Sequence, residues 1–469
     1  MNENSLALDG SAGGFAGFEA PADAGGLAGN TAASIELAVN AVPLNRRHAV
    51  VFALCSAGLF FESLNLQLMS FIAPQVAREW GLGPRMLGLA ISAAIFGMML
   101  GTYVFGAIAD RHGRRLAFQC TVGIFSLLTA LAGVATTLWQ LIAARFGAGI
   151  GIGGSIPVET SVLAEFTPAA WRGRALALWG IFLPLGGFVA PLCVAVMPAQ
   201  LGWRGLFFLG GIPAILVLIA RRAIPETPQY LAAKGRMAEA RAAVAWIANR
   251  SDDPPPIVEI PTEKSLLPRK RAPERILFSP PYRRATATNW MIYFGTFFSY
   301  YGFILWMPAL LGGYRGYATS EVVRFMLGLS LAGLSGRIAM IFAIGRIARR
   351  PLIMTCAVLS AMALIAFALP TDHASIMAAG YIAAFFLEGI FGAVIPFVAE
   401  SYPAESRATG IGWAGGMGRL GATLAPLAIG SLVRIHIQYA IMTLAAGSVL
   451  AAIAMLISRR SYGSNHDLI

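Results

Sequence analysis

The residues of this chain with chemical potential are glutamates and arginines set in the middle of long apolar runs. Glu62 and Asn65 stand three apart in Phe61-Glu62-Ser63-Leu64-Asn65-Leu66-Gln67, a spacing that puts both on one face of a helix. Arg145, Glu159, Arg337, Glu388 and Arg419 lie in other apolar runs. Each costs several kcal/mol in hydrocarbon unless it faces protein or water, so each marks a pathway or a structural pair. A desolvated carboxyl carries its charge at a cost and can exchange it for a proton, which makes Glu62, Glu159 and Glu388 candidates for proton coupling. Arg419 offers the planar fork that grips both oxygens of a carboxylate; pairing with Glu388 or with a carbonyl is its structural alternative. Between Asn289 and Gly302, Tyr293, Phe297 and Tyr300 present rings, two of them with polar tips, that could stack on a planar ligand or simply pack as core. With Asn65 and Arg419 they form the candidate binding set, while Trp306 reads as an anchor at a membrane interface.

The elements that must position these groups follow from composition. Of 469 residues 57% are hydrophobic and 12% are charged, too few polar groups to clothe a soluble protein of this size. About 20 apolar residues cross a bilayer, and twelve such spans can be read near residues 49–72, 84–109, 116–135, 138–163, 174–197, 203–221, 286–311, 322–345, 351–369, 375–398, 408–433 and 437–458. Backbone groups in lipid must be satisfied within the segment, and the Ala/Leu/Ile/Gly-rich runs lack the alternation of barrel strands, so the spans are helices. No cleaved presequence is expected, because no basic segment opens the chain and the first run is too long for one. With both termini cytoplasmic, only Arg78, Arg85, Arg204, Arg315, Arg324 and Arg434 of the 35 basic residues fall outside, the positive-inside bias of an inner-membrane, multi-pass protein. The net charge of +12 is therefore spread over membrane loops and does not indicate nucleic acid. Cys55, Cys120, Cys193 and Cys356 lie in apolar runs without paired spacing, so neither a disulfide framework nor a metal site is expected. No phosphate-cradling loop or hydrolytic triad occurs; the chain reads as no enzyme, without a cofactor.

The expected organisation is a disordered tail over 1–45, a six-helix bundle over 46–221, a cytoplasmic linker over 222–285 with an amphipathic stretch near Arg236–Asn249, a second bundle over 286–458 and a tail over 459–469. A shift of 235 residues superposes Ala164-Glu165-Phe166-Thr167-Pro168 and Arg172 on Ala399-Glu400-Ser401-Tyr402-Pro403 and Arg407. The same shift lays Asp110-Arg111-His112-Gly113-Arg114-Arg115 over Gly345-Arg346-Ile347-Ala348-Arg349-Arg350. Two pseudo-symmetric six-helix halves with a site between them near the midplane is an alternating-access architecture.

Gly106-Ala107-Ile108-Ala109-Asp110-Arg111-His112-Gly113-Arg114-Arg115 resembles the G-x-x-x-D-[RK]-x-G-[RK]-[RK] signature of the major facilitator superfamily. The resemblance implies a conformational latch in which the glycine admits a close helix and Asp110 caps a terminus or pairs with a base in one state. Asp110, Arg111, Arg114, Glu165, Arg172, Glu400 and Arg407 are its expected members, and Arg145 in Arg145-Phe146-Gly147-Ala148-Gly149 is expected to order helix packing and assist proton movement. Over most of 49–458 the chain further resembles bacterial aromatic-acid:proton symporters and nicotinate-type, synaptic-vesicle-protein-like transporters. The carrying segments are Phe61–Gln67, Arg407-Ala408-Thr409-Gly410-Ile411-Gly412-Trp413 with Gly418-Arg419, and Tyr300-Tyr301-Gly302 before Trp306 and Pro308. Pro225-Glu226-Thr227-Pro228 with Tyr230-Leu231 occurs in sugar porters too. One departure stands out: Asn65 occupies the place of a second acid, so either Glu62 alone or Glu62 with Glu159 does the coupling, or the protein is not coupled in the family's way.

The resemblance implies proton-driven uptake of a small aromatic or heteroaromatic carboxylate by a monomer, its partners being an organic anion, protons and the bilayer. Sugar or polyol:proton symport is one alternative, for which the spans offer few amides. Drug:proton antiport is another, for which Pro184-Leu185-Gly186-Gly187 is a degraded signature, and a non-transporting receptor would not need the buried acids.

Overall fold

The computed structural model describes residues 34–196, 201–211, 224–249, 273–344, 346–369 and 372–458. Among them regular structure is helical throughout, as long runs of Leu, Ala and Ile in lipid require. In the first half the spans are α2 (Arg46–Glu79), α3 (Pro84–His112), α4 (Arg114–Ala132) and α5 (Leu138–Phe166), following a short helix α1 over 34–40. The fifth crossing is broken at Gly180–Ile181 into α6 (Ala169–Trp179) and α7 (Phe182–Val196), and the sixth begins with α8 (Gly202–Leu209); its remainder, from 212, lies outside the described residues. Linker helices α9 (Pro228–Ala233), α10 (Met237–Ile247) and α11 (Pro273–Leu277) lead to α12 (Arg283–Pro308), α13 (Thr319–Ile344), α14 (Arg349–Ala368), α15 (His373–Glu400), α16 (Ala404–Leu432) and α17 (Ile437–Ile457). Among the described residues ten helices are long and apolar enough to cross a membrane by length and composition; α16, rich in glycine and holding Arg419, and the span expected from the sequence over 203–221, of which α8 is the described part, bring the count to twelve.

Side chains show the pseudo-symmetry. Arg114 pairs with Glu165 at 3.1 Å, and 235 residues later Arg349 pairs with Glu400. The halves meet where α3 lies on α16 and α7 on α13. At the first seam Gly88 and Gly430 let the backbones touch, since a Cβ on either would come within 2.5 Å of the carbonyl oxygen of Pro426 or of Pro84, and Ser92 donates to the Thr423 carbonyl at 2.7 Å. The buried apolar side chains nearest this seam form one core across both halves, including Met69, Ile91, Trp306, Met326 and Ile429. Toward the linker the core splits in two, one around Phe125 and Phe166 and the other around Ile353 and Phe397. The bundles are thus joined at the end far from the linker and separate at the linker end.

Three expectations are corrected here. Residues 34–40 are not disordered: Ile35 and Val39 are buried against Tyr230, Leu231 and Val244 of the linker helices, and Asn40 accepts from the Ala169 amide at 2.7 Å; residues 1–33 and 459–469 lie outside the described residues. Trp306 is no interfacial anchor but fully buried where the halves join. Gly106 admits no close helix, since a Cβ there would have nothing within 4 Å. The close approach falls one and a half turns earlier, at Gly101, whose Cβ would meet the Ile150 carbonyl oxygen at 2.0 Å. Gly101→Ala is therefore expected to force α3 from α5 and to destabilise the protein by about 1–3 kcal/mol, whereas Gly106→Ala leaves the thermal midpoint in detergent unchanged; equal midpoints for the two variants would contradict this account of the packing.

Candidate functional site

At the linker end the first half is fastened by its loop motif. Gly113 has φ +104°, and a Cβ there would strike Glu226 Oε2 at 2.1 Å. That conformation and that space admit only glycine without strain. Glu226 then caps α4, accepting from the amides of Arg114 at 2.9 Å and Arg115 at 3.2 Å, where the exposed N–H groups and the helix dipole favour an anion. Arg114 also pairs with Asp110 at 3.3 Å, Tyr230 donates to the Arg111 carbonyl at 2.9 Å, and Arg172 pairs with Glu36 at 3.2 Å. The exposed Arg407 donates to the Ala399 carbonyl at 3.0 Å. Asp110 thus pairs within its own motif, and the helix terminus is capped by Glu226, which lies outside that motif.

Deeper in the first half, Glu62 and Glu159 are 1% and 0% exposed. Ser155 donates to Glu62 Oε1. The Glu159 carboxyl fills the notch left by Gly58, one turn before Glu62: a Cβ on Gly58 would lie 2.0 Å from Glu159 Oε1. Glu62 Oε2 and both oxygens of Glu159 receive no hydrogen bond, and a proton on either carboxyl is what would let the two bond to each other. Holding both negative charges at two buried carboxyls so placed is costly, and a proton shared between them would relieve that cost. Asn65 faces elsewhere: Arg145 donates to its Oδ1 at 2.5 Å, and its Nδ2 donates to Thr129 at 2.6 Å. Arg145, fully buried and 5.8 Å from the Phe207 ring centre, ties α2, α4, α5 and α8 together.

In the second half Glu388 is taken. Arg337 donates to its Oε2 from Nε at 3.1 Å and Nη2 at 2.5 Å, and Tyr300 donates to its Oε1 at 2.6 Å. The expected alternative, an Arg419–Glu388 pair, is not formed. Arg419 makes no ion pair with a described residue; its electrostatic neighbours are Tyr301, Tyr103 and, from the other half, Glu62. Around it stand half-buried rings. Phe297 packs against Gly418, and Phe297 and Tyr300 both meet Phe391 edge-on at 5.1 Å. Tyr293 is buried under Phe297 at 5.6 Å, so it supports the wall and does not form it. Sequence reasoning misses Tyr103, Tyr301 and Phe391. Tyr301 adjoins Tyr300, but nothing in its spacing singles it out, and Tyr103 stands in a run that reads as plain lipid-facing helix.

Beside these rings a cavity of about 50 Å³ lies between α2, α7, α12, α13 and α15. A vestibule of about 450 Å³ opens at the far end, lined by Gln75, Arg78, Tyr314 and Tyr317 among others. The two are one turn apart, with the buried Leu68, Met69, Trp306 and Met307 at that level.

A family model described as sugar (and other) transporter matches residues 69–458. The niacin transporter NiaP of Acinetobacter baylyi is 32% identical over 89% of this chain and 94% of its own. The 4-hydroxybenzoate transporter PcaK of Pseudomonas aeruginosa is 28% identical over 83% and 87%. Among solved structures, an inward-open conformation of the xylose transporter XylE from E. coli superposes with a TM-score of 0.71 at 16% identity, covering 88% of this chain and 97% of that one; this likeness concerns the fold.

The Arg145–Asn65–Thr129 relay generates a prediction. Asn65→Leu strips a buried guanidinium of its acceptor and is expected to cost on the order of 3 kcal/mol, whereas Asn65→Asp restores a charged acceptor and keeps the fold. Thermal unfolding of both variants checks this, and equal losses would mean that Arg145 does not depend on residue 65.

Proposed function

This chain belongs to the sugar (and other) transporter family, and within it we propose a symporter that takes up a small aromatic or heteroaromatic monocarboxylate with a proton. It is a multi-pass membrane transporter and not an enzyme; the substrate, the proton and the cellular placement are our reading. The observation that carries this reading is the unpaired Arg419, set among Phe297, Tyr300 and Tyr301 and facing Glu62 across the halves. A guanidinium fork beside aromatic faces suits a planar ring bearing a carboxylate. The names of the relatives, a niacin and a 4-hydroxybenzoate transporter, support the same class.

The coupling logic is electrostatic. With the acid pair deprotonated and no substrate, Arg419 is the only cation facing Glu62 from the second half among the electrostatic neighbours of either group, and the two draw the halves together. A proton on Glu62–Glu159 weakens that attraction and frees Arg419 for a substrate carboxylate, so proton and anion cross together. Glu159 supplies the second acid that Asn65 does not, and Glu388, held by Arg337 and Tyr300, serves as a wall and not as a carrier. Sugar symport is disfavoured by the same geometry: the Asn65 amide is spent on Arg145 and Thr129, and Asn289 lies within 3.4 Å of the Tyr402 hydroxyl. Both halves of the site come from one chain, so a monomer suffices, and the basic loops orient both termini toward the cytoplasm of an inner membrane.

Two outcomes are expected in proteoliposomes. Glu62→Gln abolishes uphill uptake driven by a proton gradient and spares exchange of the bound acid; normal uphill uptake would remove Glu62 from the coupling. Arg419→Lys weakens binding of the acid by about ten- to a hundredfold, roughly 1.5–3 kcal/mol, because an ammonium keeps the charge and loses the fork, while the uncharged amide loses little. Equal losses for acid and amide would mean that Arg419 holds helices and does not read a carboxylate.

A further inference from the structure

The cavity between the halves is walled mainly by apolar side chains, among them Leu66, Leu183, Ile304 and Leu387, and polar groups reach it from Ser63, Gln67, Tyr300, Ser330 and Glu388. Most of these are spoken for. Tyr300 donates to Glu388, and the Ser330 hydroxyl donates to the Met326 carbonyl at 3.0 Å. Gln67 is not: it is 5% exposed, and its buried Nε2 has no hydrogen-bond partner. A buried amide N–H without an acceptor costs about 1–3 kcal/mol, which is tolerable where a ligand supplies the acceptor.

We propose that Gln67, at the head of this cavity, donates a hydrogen bond to an acceptor on the substrate's ring, a heteroaromatic nitrogen or a phenolic oxygen, and so selects substituted aromatic acids over plain ones. The inference rests on the symport reading and deepens it. Gln67 follows Glu62 by five residues, about 7.5 Å along α2 at 1.5 Å per residue, so it stands about a turn and a half from the acid that neighbours Arg419. Tyr301 bridges the two levels. It lines the cavity, and its electrostatic neighbours are Arg419 and Glu62 as well as Arg337 and Glu388. A ring whose carboxylate sits on Arg419 and whose face lies along Tyr301 directs its opposite edge at Gln67. Gly187 of α7 stands beside this group, with a Cβ position 3.7 Å from Gln67 Cγ and 3.8 Å from Ser63 Oγ, and keeps the amide's surroundings open. The volume of about 50 Å³ accepts the edge of a ring and its substituent but not a whole second molecule. A phenolic hydroxyl accepting from Gln67 can also donate to Glu388 Oε1, which has a lone pair left beyond the Tyr300 bond.

The test compares benzoate, nicotinate and 4-hydroxybenzoate on the purified full-length wild type and on Gln67→Met, which keeps the side chain's length and removes the donor. Calorimetric affinities should fall about tenfold, ~1.4 kcal/mol, for whichever of nicotinate and 4-hydroxybenzoate the wild type prefers over benzoate, and benzoate should be unchanged or bound more tightly. The thermal midpoint of the ligand-free variant should equal or exceed that of the wild type, because an unmet donor has been removed. Equal loss for all three acids, or no preference over benzoate in the wild type, overturns the subsite while leaving the symport reading in place. A lowered ligand-free midpoint assigns Gln67 to packing and likewise overturns it. Failure of all three acids to bind the wild type overturns both readings together.

Discussion

A guanidinium placed between two helical bundles in a membrane cannot be left unanswered, and the architecture of this protein turns on how its buried arginines are met. Arg145 is met by Asn65 and Arg337 by Glu388, each within its own half. Of these three, Arg419 alone makes no ion pair with a described residue, and the acid among its electrostatic neighbours, Glu62, belongs to the other half. Charges satisfied within a half make that half rigid, whereas a charge that can be answered only across the halves, or by a bound anion, makes their relative position depend on what is bound. That is the physical content of alternating access here.

The 235-residue repeat sharpens the point by showing where the halves diverge. The fastening at the linker end is duplicated as Arg114–Glu165 and Arg349–Glu400. At mid-membrane the duplication stops. Arg337 and Glu388 correspond to Thr102 and Gly153, which make a neutral contact, the Thr102 hydroxyl donating to the Gly153 carbonyl at 2.8 Å. Tyr300 corresponds to Asn65, and Phe297 to Glu62. The first half has therefore put a carboxyl and an amide where the second has rings, and the second an ion pair where the first has a hydroxyl and a carbonyl. One half holds the buried carboxyl pair and the other the aromatic wall, joined by a common scaffold.

Much of this was legible in the sequence, because lipid removes most alternatives. Twelve spans, the two halves and the loop motif follow from apolar length and one offset, and Glu62 and Arg419 stand out as charges where charge is costly. What was not legible is pairing. A span that is apolar on every face has no periodicity to say which side meets which neighbour, so nothing in the residues around Glu388 distinguished Arg337 from Arg419 as its partner. The Gly58 notch that brings Glu159 to Glu62 is visible only once α2 lies against α5. Trp306 misled for a related reason: near a span's end a tryptophan reads as an anchor, and only the meeting of the halves there buries it.

The same meeting defines the conformation. Its apolar core runs through both halves at the far end and divides toward the linker, so the far end is shut by one turn of Leu68, Met69, Trp306 and Met307 while the two cores stand apart on the linker side. Opening the far end would bring part of that core into water, at about 25 cal/mol for each Å² of apolar surface exposed, and nothing in a dry hydrocarbon seam offsets this. The compensation has to come from the linker side, where the two divided cores can close on each other and Glu62 can approach Arg419. Closure of one end and opening of the other are then a single exchange of apolar burial, biased in one direction or the other by whether the charges between the halves are matched.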